Sequence, residues 1–238
     1  MTVDIERPSR SESSPRTASD EASPGGPIGR IRGLDALRGF AAIAVTLFHL
    51  TNQYHQSYQF KVYPSISLPF GAHGVTLFFV ISGFVIFMTL ERTARPRDFV
   101  VARFSRLYPT YWAAVLLTTT ALLLWPLPGT DPPAKLLARA AVNLTMFQRW
   151  FRVGSIDAVY WTLEVELCFY LMMFLLLCAR SLNRAIAVFS FLSLIAVADQ
   201  SWMPQGTSPW LDRLRGLLIL KYIHIFLLGM LIYKFRAT

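Results

Sequence analysis

An all-α, polytopic helical membrane protein is the fold class this sequence predicts, and three observations carry the prediction. Apolar residues fill 54% of the 238 positions and charged residues only 16%, whereas a water-soluble domain carries about 25% charged residues. The mean hydropathy is +0.43. Six segments, 34–52, 72–90, 107–125, 159–179, 184–199 and 214–233, are apolar and about long enough to cross ~30 Å of hydrocarbon at ~20 residues each. The 23 Lys+Arg against 14 Asp+Glu leave a formal charge of +9. Because the basic residues sit between the apolar runs, that excess reads as membrane orientation, and no nucleic-acid partner is expected.

Residues 1–30 are rich in Ser, Pro, Gly and mixed charge and lack apolar periodicity. They cannot offset their ordering entropy by burial and read as a disordered cytoplasmic tail. No apolar core or small-residue cleavage site marks them as a secretory signal. Residues 31–238 then form a single transmembrane domain without a detectable internal repeat.

Loop charges orient the spans. The 91–106 loop holds Arg92, Arg95, Arg97, Arg103 and Arg106, the 180–184 loop holds Arg180 and Arg184, and Lys234 and Arg236 follow the last span. The alternate loops are poor in cations: 53–71 has Lys61 and 200–213 has Arg213. With six spans every Arg-rich loop falls on the side of Arg30 and Arg32, as the positive-inside rule asks. The same count leaves Arg149 and Arg152 outside, against the trend. It requires that 134–148 not cross, and this stretch, apolar at helical spacing but bearing Lys135, Arg139, Asn143 and Gln148, reads as an amphipathic or re-entrant helix.

Ionisable residues inside spans are costly unless they face protein or water. On a wheel of ~100° per residue, Asp35, Arg38, Thr46 and His49 of the first span share a sector of about 80°. Arg38 and His49 are nearly eclipsed, roughly 16 Å apart along the axis. Singly, Arg38 also fits a snorkelling arginine paired with Asp35, and His49 an interfacial histidine. In the second span, Ser82-Gly83 interrupts a bulky run, fitting close helix packing or, beside a base, a nucleophile. Arg103 and Arg106, spaced i, i+3, fit a phosphate clamp or headgroup contact. In the fourth span Glu164 and Glu166 lie about 200° apart. Glu166 therefore shares its face with Thr162 and Tyr170, and Glu164 with Trp161 and Cys168. Cys168 and Cys178 lie in one apolar segment, which gives neither a disulfide framework nor a metal-ligand spacing. No Gly-rich phosphate loop, zinc cluster or GxSxG elbow is present, so no metal and no bound cofactor are expected.

Four segments taken in order, LDALRGFAA with Arg38 and, ten intervening residues on, His49, then FFVISGFVI around Ser82, RFSRLYP with Arg103 and Arg106, and WTLEVELCFYL with Glu166, resemble the signatures of the integral-membrane acyltransferase 3 family. The likeness runs from about Ile31 to FLLGMLIYKF at the end. It implies a multi-pass protein of the inner (plasma) membrane, in contact with its lipids. It also implies transfer of an acyl group, commonly acetyl, from cytoplasmic acetyl-CoA as co-substrate to a hydroxyl of a carbohydrate or lipid-linked glycan. Arg38 and His49 would be the central pair, supported by Glu166, Arg103 and Arg106. Thr162 stands where the family often has Ser, which keeps the hydroxyl. Family members have more spans, so the chain looks C-terminally truncated, with weak stability and no activity of its own expected.

Within that resemblance, a sugar hydroxyl needs a base, and the oxyanion needs a stabiliser. His49 and Glu166 are the catalytic candidates, with Arg38, Arg103, Arg106 and Ser82 assigned to binding of the donor or substrate. His55 and His73 fall near an external loop, and His224 lacks the motif context. Two other functions share these residues: a non-catalytic transport or assembly subunit whose charges line a polar pathway, and an inactive truncated relative.

Reporter fusions placed after Lys61, Gly129, Arg184 and Gln205 check the topology. Lys61, Gly129 and Gln205 should report the external side and Arg184 the cytoplasmic side; an external signal at Arg184 contradicts the six-span arrangement.

Overall fold

The computed structural model describes residues 32–53, 68–93, 95–127, 129–202 and 208–237. The expected tail over 1–30 and most of the loop over 53–71 lie outside the described residues. From Gly33 onward the chain forms one compact unit, and among the described residues it contains helices and turns without a strand. Helix α1, Arg32–Phe48, runs into a π-helical turn over His49–Gln53. A 3-10 turn, Pro69–Ala72, leads into α2, His73–Glu91. They are followed by α3, Pro96–Leu124, and α4, Pro133–Asn143. A turn capped by Asp157, whose Oδ1 accepts from the Val159 N–H, opens α5, Trp161–Cys178. Last come α6, Ala185–Trp202, α7, Pro209–Leu217, and α8, Ile223–Ala237.

Among the described residues five segments are long and apolar enough to cross a membrane: Gly33–Asn52, Pro69–Glu91, Pro96–Leu124, Ala158–Cys178 and Leu182–Ser201. The sixth expected span, 214–233, is not one helix. It breaks after Leu217, with Ile219 at φ 46 in the left-handed region. The break has an electrostatic cause. Arg215 is buried, its Nε donating to Asp199 Oδ2 at 2.8 Å and its Nη1 to Asp212 Oδ1 at 2.8 Å, which ties α7 to the end of α6 and leaves α8 to start afresh. At fifteen residues α8 is about 22 Å long, and its Lys234 pairs with Glu91 at 3.1 Å, so it ends beside the end of α2.

The third span, expected from 107, belongs to a helix that starts well before it. Observed α3 begins at Pro96 and carries Arg103 and Arg106 inside the helix, continuing through Pro109. Proline at the first helical position and Asp98 in the first turn favour that start. An interior proline costs about 3 kcal/mol, and three side chains flanking it hold the helix onto α4. Tyr108 donates to Thr145 O at 3.2 Å, Tyr111 to Asn143 O at 2.6 Å and Trp112 Nε1 to Leu144 O at 3.0 Å, supplying the carbonyls that a helix end leaves without partners.

Helix α4 is the expected amphipathic element, eleven residues or about 16 Å, too short to cross. Leu136, Ala140 and Asn143 form its buried face. Asn143 is saturated: Nδ2 donates to Arg139 O and Gly154 O, and Oδ1 accepts from the Ile156 N–H. At the other end Asp131 binds Lys135 at 2.8 Å and Arg139 at 2.7 Å, and the Lys135 ammonium, seconded by Arg139, holds its carboxyl below the usual range.

The most buried of the five spans is α2, apolar on most sides as a central helix should be. Its Phe79, Ile86, Phe87 and Leu90 pack with Phe169 and Phe226 in the main core. Two glycines set the approach of α8. A Cβ on Gly83 would stand 2.2 Å from Phe226 O, and one on Gly229 would stand 2.0 Å from Val80 O. Gly71 and Gly74 do the same for α1, against Ala44 O at 2.3 Å and Ala41 O at 2.7 Å. Such backbone contact is how small residues join helices in lipid. Outward faces carry Phe40, Ile43, Leu117, Leu194 and Val197, all exposed, as lipid-facing surfaces require.

Gly229→Ala should therefore force α8 off α2 and destabilise the protein by about 1–3 kcal/mol, the usual cost of overpacking. Gly33→Ala, where nothing lies within 4 Å of the added Cβ, should not. Thermal unfolding in detergent compares the two, and equal midpoints would mean that the α2–α8 approach is not limited by the backbone.

Candidate active site

Between α1, α2, α3, α5 and the turn before α8 lies a cavity of about 680 Å3. Its walls include Arg38 and His49 from α1 and the following π turn, Ser82 from α2, Arg106 from α3 and Glu166 from α5. Five of the six residues singled out in the sequence thus meet in one space. Arg103 is the exception. It is not on the cavity wall: its guanidinium carbon lies 5.8 Å from the centroids of Phe99 and Tyr170, behind Glu166, and its Nε is buried without a hydrogen-bond partner.

The helical wheel accounts for most of this arrangement. Arg38, Val45, Phe48 and His49 of the first span line the cavity. Thr46 does not: it is exposed and its hydroxyl donates to Ala42 O at 2.9 Å, the local bond a threonine makes on a lipid-facing surface. On α5, Thr162 and Glu166 share the cavity face while Glu164 lies in a different cleft with Cys168. His49 opens the π turn, a distortion that proteins often place at functional sites, and its ring meets Phe48 edge-on at 5.5 Å.

Glu166 is the fixed point of the polar side. Its Oε1 accepts from Ser82 Oγ at 2.8 Å and from the Tyr170 hydroxyl. Ser82 therefore does more than allow packing. The neighbouring Gly83 takes the packing role, while the serine hydroxyl is committed as a donor to a carboxyl. Arg38 is within electrostatic reach of Arg106, Glu166 and Asp35, so the two arginines and the glutamate form one charged end. Arg106 is exposed, placing that end at the mouth of the cavity.

The remaining walls are largely apolar and aromatic. Trp161 stacks on Tyr222 at 5.3 Å, and Phe79 meets Tyr222 edge-on at 5.4 Å. Tyr111, Thr110 and Ala114 of α3 complete the surface. Among these wall residues the sequence places Trp161 on the face of Glu164, but as the first residue of α5 it stacks on Tyr222 and lines the cavity with Thr162 and Glu166; the others carry no expectation. The spacing of Tyr108, Tyr111 and Trp112 at i, i+3 and i+4 is a usable signal for one helix face, whereas Tyr222 reaches the cavity through the break after Leu217, which periodicity conceals. His73 and His224 are exposed and do not line the cavity, and His55 lies outside the described residues. Among the described residues no three His, Cys, Asp or Glu side chains stand together as metal ligands.

Residues 31–238 match the acyltransferase domain of the acyltransferase 3 family. The chain belongs to that family. Nodulation protein 10 of Rhizobium leguminosarum bv. viciae is 30% identical over 164 residues, 63% of this chain and 45% of that protein. The acyltransferase MdmB of Streptomyces mycarofaciens is 29% identical over 151 residues, 60% of this chain and 38% of that one. The exopolysaccharide production protein ExoZ of Rhizobium meliloti (strain 1021) is 34% identical over 106 residues, 42% and 32% of the two lengths. Each match thus spans less than half of the relative. No solved structure gives a significant match.

In this acyltransferase 3 chain the carboxyl of Glu166 has two hydroxyl donors on one oxygen, and their sharing of it is testable. Ser82→Ala or Tyr170→Phe should each cost about 1 kcal/mol of stability. The double variant should depart from the sum, because the carboxyl is then left without either donor. A double-mutant cycle from thermal unfolding measures the coupling, and strict additivity would mean the two hydroxyls act independently.

Proposed function

We propose that this family member is an acyltransferase of the inner (plasma) membrane that moves an acyl group, acetyl foremost, from acyl-CoA to a hydroxyl of a carbohydrate or lipid-linked glycan. The single observation that carries the reading is the cavity holding Arg38, His49 and Glu166 together. The family and the relative named for an acyltransferase support acyl transfer, and the relative named for exopolysaccharide production supports a glycan acceptor.

Roughly 16 Å of helix axis separates Arg38 from His49, too far for both to act on one carbonyl. The cavity connects them, so one end serves the donor and the other the reaction. Arg38 and the exposed Arg106 present guanidinium groups suited to phosphates or to pantetheine carbonyls. The aromatic walls suit the pantetheine stem and the acyl chain. His49 takes the proton from the acceptor hydroxyl as its oxygen attacks the thioester carbonyl. A C–O bond forms, the C–S bond breaks, and the imidazolium returns its proton to the departing thiolate. Glu166, held by Ser82 and Tyr170, stands at the arginine end and offsets the guanidinium charge of Arg38 there. Arg103 acts through Tyr170, supporting the ring that fixes Glu166, and does not touch the donor. Ser82, as a donor to Glu166, lines the substrate space without serving as a nucleophile.

The assay is transfer from labelled acetyl-CoA to surface glycans in membranes bearing the protein, with acetyl-CoA binding measured in parallel. His49→Ala should keep donor binding and lose transfer by roughly 100-fold or more, on the order of a general base's contribution of 10²–10⁴. Arg38→Ala should weaken acetyl-CoA binding first. Ser82→Ala should keep most of its transfer. Wild-type rates in His49→Ala would remove the base, and unaltered donor binding in Arg38→Ala would remove the donor site. A wild-type protein that neither hydrolyses nor transfers the thioester would favour a polar pathway without catalysis.

A further inference from the structure

A second cleft, about 230 Å3, opens where the 149–152 turn meets the first turns of α5 and the body of α7. Arg149, Trp150, Arg152, Glu164, Asp212 and Arg213 line it. It lies on the face of α5 opposite Glu166 and shares no lining residue with the larger cavity.

Glu164 gives the cleft its chemistry. The residue is only 6% exposed, and its Oε2 is buried without a hydrogen-bond partner. The nearest cation, Arg149 Nε, stands at 3.9 Å, beyond hydrogen-bond length. A buried carboxyl left in this state costs several kcal/mol unless a donor reaches it. The other acid, Asp212, is already engaged by Arg215 at 2.8 Å. Three arginines line the cleft with it, of which Arg152 and Arg213 form no ion pair among the described residues and are exposed. Arginine in such a rim matches phosphate and carboxylate geometry.

The turn that presents two of these arginines is held in a costly shape. Arg152 sits at φ 56, a left-handed conformation that costs a non-glycine residue about 1 kcal/mol or more. Hydrogen bonds from Arg152 N to Arg149 O at 3.1 Å and from Val153 N to Gln148 O at 2.9 Å enforce it. The result sets Arg149, Trp150 and Arg152 around one opening. This also accounts for the two arginines that run against the loop-charge rule: they serve a site and not the orientation of the chain.

We infer that this cleft is a binding site for an anionic polyol, a sugar bearing a phosphate or carboxylate. The anion sits on the rim of Arg149, Arg152 and Arg213, a ring hydroxyl donates to Glu164, and the ring's apolar face lies on Trp150. The volume is below the ~300 Å3 at which ordinary small-molecule sites begin, so the cleft takes one sugar ring or headgroup and excludes a nucleotide. The inference does not depend on the chemistry proposed for the larger cavity.

Isothermal titration of the purified chain in detergent tests it, with glucose 1-phosphate, inorganic phosphate and glucose as probes. Glucose 1-phosphate should bind at least tenfold more tightly than either of the others. Arg213→Ala, on the exposed rim where folding is not at stake, should weaken both phosphates, and Glu164→Met should weaken the sugar phosphate alone. Unfolding midpoints confirm that both variants remain folded. Repeating the titration in nanodiscs with phosphatidylglycerol in place of phosphatidylcholine separates the sources: competition assigns a lipid headgroup, and its absence assigns a glycan. Failure of glucose 1-phosphate to bind, or binding no tighter than inorganic phosphate and indifferent to both substitutions, overturns the site.

Discussion

The arrangement of the bundle rests on two backbones touching. Where α2 and α8 cross, Gly83 and Gly229 each leave room for a carbonyl of the other helix, within 2.2 Å and 2.0 Å of where a Cβ would stand. Lipid chains are as apolar as leucine, so helices in a bilayer gain little from mere apolar contact and depend on close approach. That approach turns Gly83 toward α8 and, on the adjacent position, Ser82 toward α5. The hydroxyl then reaches Glu166 at 2.8 Å. The same crossing carries Tyr222 and Phe226 onto Phe79, closing one wall of the cavity. A packing decision made by two missing methyl groups thus determines where a polar site exists.

Three inward polar groups of the bundle are each held by several partners at once, as burial of a dipole or charge requires. Asn143 joins two carbonyls and an amide, Arg215 joins two aspartates, and Glu166 joins two hydroxyls. Each satisfied cluster also has a mechanical effect: the first docks α4, the second ties α7 to α6, and the third fixes the charged end of the cavity. Glu164 differs from these three clusters: its Oε2, like Arg103 Nε, Arg139 Nε and Gln148 Oε1, is buried without a hydrogen-bond partner.

Much of this is legible in the sequence because both signals that matter are one-dimensional. Hydropathy locates the spans, and a wheel of ~100° per residue places Arg38 with His49 and separates Glu164 from Glu166. Thr46 falls on the right sector and still faces outward, since a threonine can satisfy itself on its own backbone at Ala42. The start of α3 escapes the hydropathy signal because its three arginines, Arg97, Arg103 and Arg106, look like a loop, while the helix extends beyond the apolar region. The sixth span misleads for the opposite reason. Its apolar run is continuous, but Arg215 answers to Asp199, sixteen residues back, and a contact at that separation leaves no mark on local periodicity. Arg103 looks like a twin of Arg106 by spacing, yet a step of three around a helix is enough to send their long side chains in different directions, Arg106 to the cavity mouth and Arg103 behind Tyr170.

The π turn that begins at His49 makes the distance from Arg38 a matter of counting. Eleven steps of regular helix bring the histidine back almost over the arginine, and the chain widens only after that alignment is complete. A single residue gained or lost between them would carry the imidazole about 100° around the axis and out among the lipid tails. Length is then what this stretch of chain must keep: its outward positions, Phe40 and Ile43, are free to vary among apolar types, while insertions and deletions are not tolerated.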